Sequence, residues 1–136
     1  MFVSNKKSTN TADGVQSVLE VLPEGCSNSI IVRFVQCHKW PETMHRRSSN
    51  FTTLHGPLQF IRLLKDDKGL TLVVCATGCG KSAMFIMLHA AITTLNGNGV
   101  PLKVNDLLKK IRNDRWGAIQ TMEQYLIIYQ LYIYYI

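Results

Sequence analysis

The stretch that decides the fold is LTLVVCATGCGKSA, residues 70–83, in which a short apolar run leads into a glycine-containing loop and then a helical pattern. The apolar run is continuous rather than alternating, which predicts a buried strand. Gly78 and Gly80 allow backbone angles that turn successive N–H groups into one concavity. The helix that begins near Ser82 adds unsatisfied N–H groups and the positive end of its dipole. With the Lys81 ammonium at its rim, the loop predicts a binding site for an anion such as phosphate.

Two kinds of phosphate site share this pattern. Read back from Gly80, the loop ends like a nucleotide-binding P-loop, G-x-x-x-x-G-K-[ST], but Cys75 stands where that pattern has its first glycine. Read forward from Cys75, it is C-x5-basic-Ser, the phosphate loop of a cysteine-dependent phosphatase. In such a loop a thiolate attacks phosphorus. The loop alone leaves both alternatives open.

The composition fits one globular domain. The chain has 136 residues, of which 46% are hydrophobic and 18% charged, so it can bury a sizeable core. Its net charge of +6 favours anionic partners, but the positive residues are scattered, which favours a solvated basic surface over a nucleic-acid site. The apolar run at 125–136 is too short to span a bilayer, and the polar N-terminus lacks the core of a secretory signal. We therefore expect a cytoplasmic protein with no nucleic-acid and no membrane partner.

The four cysteines have no paired C-x-x-C spacing; they are Cys26, Cys37, Cys75 and Cys79. Without a secretory signal, they indicate free thiols in a reducing compartment. The absence of matched ligand pairs argues against a zinc site. We expect neither a metal nor a cofactor.

Hydropathy patterning predicts a flexible leader followed by one domain. The leader is residues 1–14, rich in Ser, Thr, Asn and Lys, and the domain is residues 15–136. The predicted strands are 15–22, 30–35 and 70–74. The predicted helices are 51–65, 83–95, 104–111 and 122–136.

Two of these helices have a predicted start. Pro57 fits the first turn of the first helix, where its missing N–H costs least. Thr121 can cap the last helix, with Gln124 completing a capping box.

Motifs away from the loop favour the phosphatase. Residues 111–125, IRNDRWGAIQTMEQY, closely resemble the end of protein tyrosine phosphatase domains, where that family has LRxxRxxxxQTxxQY. Upstream, the W-P-E at 40–42 resembles the mobile Trp-Pro-Asp loop of the family and precedes Cys75 at a family-like interval. Ser82 and Phe85 also match. The resemblance implies an α/β fold of the α+β kind, with a mixed sheet flanked by helices and a strand–phosphate loop–helix centre.

The resemblance covers about residues 30–136, roughly the C-terminal half of such a domain. The N-terminal helices and strands of the family, and its tyrosine-recognition loop, have no counterpart in this sequence. We therefore expect a fragment or a shortened gene product with open sheet edges, one of which a protein partner would cover.

The resemblance assigns roles that this chain keeps. Cys75 stands where the family has its nucleophile, in a nest of N–H groups that would lower its pKa. Ser82 matches the hydroxyl that stabilises the thiolate or helps its release. Gln120 and Gln124 match the glutamines that position the hydrolytic water. The implied phosphate-binding residues are Cys75, Ala76, Thr77, Gly78, Cys79, Gly80 and Lys81.

Other family positions have changed. Lys81 replaces an arginine that grips two phosphoryl oxygens, and losing that bidentate contact should slow the reaction roughly 10²-fold or more. Glu42 replaces the general-acid aspartate, and its extra methylene displaces the proton. Val74 stands where a histidine usually precedes the nucleophile, and residues 43–47 lack the glycine and proline that usually follow the Trp-Pro-Asp triplet.

These features predict a tyrosine phosphatase-like domain with little or no activity that binds a phosphotyrosine protein or peptide through the loop. One alternative is a weakly active phosphatase that forms a thiol-phosphate at Cys75. A third is a P-loop nucleotide-binding protein.

Overall fold

The computed structural model describes residues 1–40, 52–65, 69–100 and 103–136 of the chain. These residues form three strands and four helices, so the predicted α+β class is confirmed. The chain divides into two compact units, residues 1–40 and residues 41–136, where the sequence predicted one domain from residue 15 onward. The first unit contains the strands and the second contains the helices.

The strands form one sheet. β1 is Phe2–Asn10, β2 is Gly14–Leu22 and β3 is Ile30–Cys37. They pair in the order β1-β2-β3, and both pairs are antiparallel. The predicted strands at 15–22 and 30–35 are therefore confirmed, whereas the sheet formed by the described residues is antiparallel and not mixed.

Residues 1–14 contain β1, although their polar composition predicted a flexible leader. β1 pairs along its length with β2, and an antiparallel pair satisfies backbone N–H and C=O groups whatever the side chains are. Polar side chains add cross-strand contacts: the Ser8 and Ser17 hydroxyl oxygens lie 2.8 Å apart, and Lys6 pairs with Glu20 at 2.6 Å. The structure differs from the prediction because composition reports on apolar burial and not on backbone pairing.

Both outer strands of this sheet carry exposed apolar side chains. Phe2 on β1 is 65% exposed, and Ile31 and Phe34 on β3 are 62% and 47% exposed. A protein partner at a sheet edge stays a prediction. No helix within the described ranges is long and apolar enough to cross a membrane.

The second unit is built from four helices. They are α1 (Thr52–Leu64), α2 (Lys81–Asn98), α3 (Val104–Asp114) and α4 (Met122–Tyr135). α2 packs against α3 and α4, and α1 packs against α4. All four predicted helices are present, and α2 is longer at both ends than the predicted 83–95.

α2 lies at the centre of the helical core. Its Met87 and Leu88 side chains are fully buried, as expected for a helix that is apolar on most sides. The helix ends at Gly99, which has φ 67° and donates its N–H to the Leu95 carbonyl at 2.8 Å. A glycine in the left-handed region is a common helix terminator.

Residues 70–74, here called the approach segment, are not the predicted buried strand. Leu72 is 85% exposed and Val74 is 76% exposed, and the described residues of the second unit contain no strand. A continuous apolar run becomes a strand only where neighbouring strands accept its backbone hydrogen bonds. The apolar pattern of residues 70–74 predicted their burial, but this pattern does not specify which strand they would pair with.

The two predicted helix starts have different outcomes. Pro57 lies inside α1, which begins at Thr52, and its side chain is fully buried, so the prediction of a first-turn proline is wrong. The capping box of α4 is confirmed. The Thr121 hydroxyl accepts the Gln124 N–H at 3.3 Å, and the Gln124 side chain accepts the Thr121 N–H at 3.4 Å.

Candidate phosphate-binding site

The loop of residues 75–81, here called the phosphate loop, leads directly into α2. Gly80 is the N-cap of α2, with no side-chain cap and no acidic residue in the first turn. Lys81 is the first helical residue, a position where the helix dipole disfavours a cation. The positive charge and the N–H groups of this helix start therefore lie together, an arrangement that suits a bound anion.

The Cys75 sulfur receives two hydrogen bonds at the base of the loop. The Gly78 N–H donates to Sγ at 3.2 Å, and the Ser82 hydroxyl lies 3.2 Å from the same atom. Ser82 is 3% exposed, so its hydroxyl has little access to water. When Cys75 is a thiolate, the Ser82 hydroxyl is the donor.

These contacts lower the pKa of Cys75. Burial by itself raises the pKa of the thiol, but hydrogen bonds from the Ser82 hydroxyl and from the N–H groups of Ser82, Gly78 and Thr77 outweigh it. The result is a pKa of about 6, against an ordinary value of 9.0. Cys75 is therefore mainly a thiolate at neutral pH, the form in which cysteine is a nucleophile.

The two glycines of the phosphate loop are constrained in different ways. Gly78 has φ +69°, a conformation that side chains other than glycine rarely adopt. At Gly80, a Cβ atom would lie 3.0 Å from the Gln124 Nε2 and 3.9 Å from the Gln120 Oε1. A side chain at Gly80 would therefore displace the end of the Gln124 side chain by a few tenths of an ångström.

The two predicted glutamines lie beside the phosphate loop, and Gln124 also orders the start of α4. Its Oε1 accepts the Gln120 N–H at 2.8 Å while its Nε2 faces Gly80. A structural role is thus visible for Gln124. Its part in positioning water stays a prediction, as does that of Gln120.

Sequence reasoning missed the turn of residues 115–119, here called the brace turn, as part of the site. The Ile119 N–H donates to the Cys79 carbonyl at 2.9 Å, and the Cys79 thiol donates to the Trp116 carbonyl at 3.8 Å. The Arg115 side chain lies against Gly78. The signal was available, since both arginines of the quoted family motif flank this turn.

Arg112 holds the brace turn in place from α3. Its Nε donates to the Ala118 carbonyl at 3.0 Å and its Nη2 donates to the Ile119 carbonyl at 2.8 Å. Ile119 has φ 59°, an unfavourable conformation for a β-branched residue that costs on the order of 1–3 kcal/mol. The contacts of Ile119 offset that strain, since its side chain is 2% exposed and its N–H is used by the loop.

The remaining predicted residues lie elsewhere. Glu42 and residues 43–47 are outside the described residues, so the predicted general acid has no observed position. Ala76, Thr77 and the Lys81 side chain are exposed at the mouth of the loop. All four cysteines are free thiols, and within the described ranges no group of three or more His, Cys, Asp or Glu could hold a metal ion.

A family model described as protein-tyrosine phosphatase matches residues 1–134. Among curated proteins, the chain is 25% identical over 125 residues to a Caenorhabditis elegans protein named as a tyrosine-protein phosphatase, covering 92% of this chain and 30% of that relative. It is 25% identical over 116 residues to the rat tyrosine-protein phosphatase non-receptor type 20, covering 84% of this chain and 26% of the relative. It is 29% identical over 118 residues to the human receptor-type tyrosine-protein phosphatase epsilon, covering 84% of this chain and 16% of that relative. The chain thus spans less than a third of each of these relatives.

Proposed function

Since the chain belongs to the protein-tyrosine phosphatase family, we propose that its phosphate loop binds phosphotyrosine peptides and that their turnover is impaired. The observation that carries this proposal is the position of the Cys75 sulfur. It accepts the Gly78 N–H at 3.2 Å and lies 3.2 Å from the Ser82 hydroxyl, at a helix start without a side-chain cap. A bound phosphate would meet the same N–H groups, the α2 dipole and the Lys81 charge.

The impairment rests on Lys81. Its ammonium offers a point charge at the mouth of the loop, whereas a guanidinium offers a planar fork that contacts two phosphoryl oxygens at once. Electrostatic contacts that strengthen in the transition state are worth on the order of 10²-fold in rate each. Lysine therefore supports ground-state binding of phosphate better than it supports phosphoryl transfer.

Glu42 adds to the impairment. Protonation of the leaving phenolate needs the acid within hydrogen-bond reach of the phenolic oxygen, and a glutamate places its proton one methylene farther out than an aspartate. Phosphotyrosine binding does not use this proton, so the substitution affects turnover alone.

The lowered pKa of Cys75 favours a second candidate, a slow phosphatase. The Cys75 thiolate would attack phosphorus, forming an S–P bond as the P–O bond to tyrosine breaks, and Glu42 would protonate the departing phenolate. Water positioned by Gln120 and Gln124 would then attack phosphorus as the S–P bond breaks, and the deprotonated Glu42 would accept the proton of that water, so that phosphate leaves and the Cys75 thiolate is restored.

Binding is tested with a fluorescent phosphotyrosine peptide and the same peptide without phosphate, followed by anisotropy. We expect saturable binding of the phosphopeptide only, competed by inorganic phosphate. Cys75→Ser should retain it, because serine stays uncharged and does not repel the phosphate dianion. Lys81→Met should weaken it about tenfold through the loss of one charge. Equal binding of both peptides would contradict the proposal.

Turnover is tested by phosphate release from the same phosphopeptide. We expect wild-type release near background and a rise of about 10²-fold in Lys81→Arg, which restores the fork. Release in Lys81→Arg should vanish when Cys75→Ser is added. Robust wild-type release that Cys75→Ser abolishes would establish the second candidate instead.

A further inference from the structure

Arg115 lies against the phosphate loop, although the family motif suggested no role for it here. A Cβ atom at Gly78 would lie 2.5 Å from the Arg115 Nη2, 3.4 Å from its Cζ and 3.9 Å from its Nε. The guanidinium group therefore occupies the space that a side chain at Gly78 would need. All three distances lie within or below van der Waals range of that Cβ position, so the guanidinium lies over the Cα of Gly78.

The backbone of Arg115 is fixed at the end of α3. Its N–H donates to the Ile111 carbonyl at 2.8 Å, and its carbonyl accepts the Ala118 N–H at 3.2 Å. The residue thus belongs both to the last turn of the helix and to the brace turn. This double attachment sets the direction from which the side chain reaches the loop.

The contact falls on the peptide that supports the Cys75 sulfur. Gly78 donates its N–H to Sγ at 3.2 Å while holding φ +69°. A glycine has wide backbone freedom, so this N–H needs an outside contact to keep its direction. Arg115 supplies one from the side of a cavity of about 210 Å³, which Ser82 and Ile111 also line.

We infer that Arg115 is a positioning residue, whose planar guanidinium packs on Gly78 and keeps the Gly78 N–H directed at the Cys75 sulfur. The inference rests on the proposed phosphate site, since it concerns the thiolate of that site. It assigns Arg115 to the geometry of the loop and not to contact with the phosphate.

The test is the pH profile of Cys75 alkylation by iodoacetamide in the intact chain. Tandem mass spectrometry separates Cys75 from Cys79 in the labelled peptide. Wild type should show a midpoint near the pKa of about 6. Arg115→Met keeps the length of the side chain but loses the planar group, and we expect its midpoint to rise by about one pH unit, a roughly tenfold loss of thiolate at acidic pH.

Two further variants separate packing from charge. Arg115→Lys keeps the charge without the planar group, so its midpoint should rise as in Arg115→Met. Lys110→Met removes an exposed cation of α3 away from the loop and should leave the midpoint unchanged. A full return to the wild-type midpoint in Arg115→Lys would overturn packing as the cause, and so would a rise in Lys110→Met equal to that in Arg115→Met.

Gly78→Ala tests the same contact from the other side, and Arg115→Lys takes the place of Arg115→Met in the double variant if Arg115→Met does not fold. The new methyl meets the guanidinium, so we expect a raised midpoint in Gly78→Ala. The midpoint of the double variant with Arg115→Met should rise less than the two single effects combined. Additive effects would overturn the inference.

The outcomes also distinguish this inference from the proposed function. A wild-type midpoint near 9 would contradict the thiolate site itself. A wild-type midpoint near 6 that Arg115→Met leaves unchanged would overturn only the role of Arg115.

Discussion

The approach segment and the brace turn both border the phosphate loop, yet they differ in how they are held. Residues 70–74 enter the loop as an exposed extended chain, with Leu72 85% exposed. Residues 115–119 close behind the loop, with Ala118 and Ile119 buried. The first was predicted to be a buried strand, and the second entered the sequence analysis only as part of the family motif at 111–125.

The difference is one of hydrogen-bond partners. The brace turn receives its partners from nearby residues: Arg112 donates to two of its carbonyls, and the loop accepts one of its N–H groups. A strand receives partners only from other strands, and the described residues of the second unit contain no strand. Within the described residues, the hydrogen bonds that hold Cys75 and its loop in place therefore come from the loop itself, from α2 and from the brace turn.

The largest expected effect compares one apolar side chain from each region. Ile119→Ala should lower the free energy of unfolding by about 2–3 kcal/mol, because it removes a buried side chain. Leu72→Ala should change it by less than about 0.5 kcal/mol, because the side chain is already in water. Urea unfolding measures both. A loss above about 1 kcal/mol in Leu72→Ala would show that the approach segment is buried in solution.

The next effect concerns the hydrogen bonds that hold the brace turn. Arg112→Met leaves the carbonyls of Ala118 and Ile119 without their donor, at a cost of about 2 kcal/mol in unfolding free energy. Lys110→Met, on the same helix, removes an equal charge without such contacts and serves as the control. Equal losses in the two variants, measured by urea unfolding, would mean that charge and not hydrogen bonding stabilises this turn.

A third prediction concerns pH. The pKa of Cys75 is lowered in part by Ser82, so Ser82→Ala should shift the midpoint of Cys75 alkylation upward by about one pH unit. As the pH decreases, the Cys75 thiolate of Ser82→Ala is protonated at a higher pH than the thiolate of wild type, so its alkylation slows at a higher pH. Val74→Ala shortens an exposed side chain next to Cys75 and should leave the midpoint of Cys75 alkylation unchanged. A shift in Val74→Ala comparable to that in Ser82→Ala would contradict one-sided support of the sulfur.

The same pKa affects stability. Because the folded pKa of about 6 lies below the ordinary value of 9.0, the folded state gains stability as pH rises from about 6 to about 9 and loses it as pH falls back. In Cys75→Ser, the side chain at position 75 does not titrate in this range, whereas every other titrating group is kept. The difference in unfolding free energy between the two proteins should therefore change with pH in this window, and a difference that stays constant would contradict the lowered pKa.

The smallest effect compares two threonines. Thr121→Ala removes one half of the capping box of α4 and should cost about 1 kcal/mol in unfolding free energy. Thr71→Ala, in the exposed approach segment, should cost less than about 0.5 kcal/mol. Thermal unfolding followed by circular dichroism checks both. A Thr71→Ala loss that matches Thr121→Ala would indicate an ordered hydrogen bond in the approach segment.

The sequence by itself determined the features that depend on neighbours along the chain. The capping box of Thr121 and Gln124 spans one helical turn, so the two residue types and their spacing are enough to predict the contact. The contact between Cys75 and Ser82 was implied by the family resemblance, and it joins two residues only seven positions apart. The apolar pattern of α2 likewise required it to lie at the centre of the helices.

Only the tertiary structure decided the features that depend on partners far away in sequence. β1 formed where composition predicted a leader, because backbone pairing with β2 is independent of side-chain polarity. The approach segment did not form the predicted strand, because an apolar run does not specify its pairing. Arg115 reached Gly78, and Ile119 took a left-handed conformation, because the brace turn packs against a loop more than 30 residues earlier in the chain. Local patterns encode local hydrogen bonds, whereas these contacts depend on how the helices pack together.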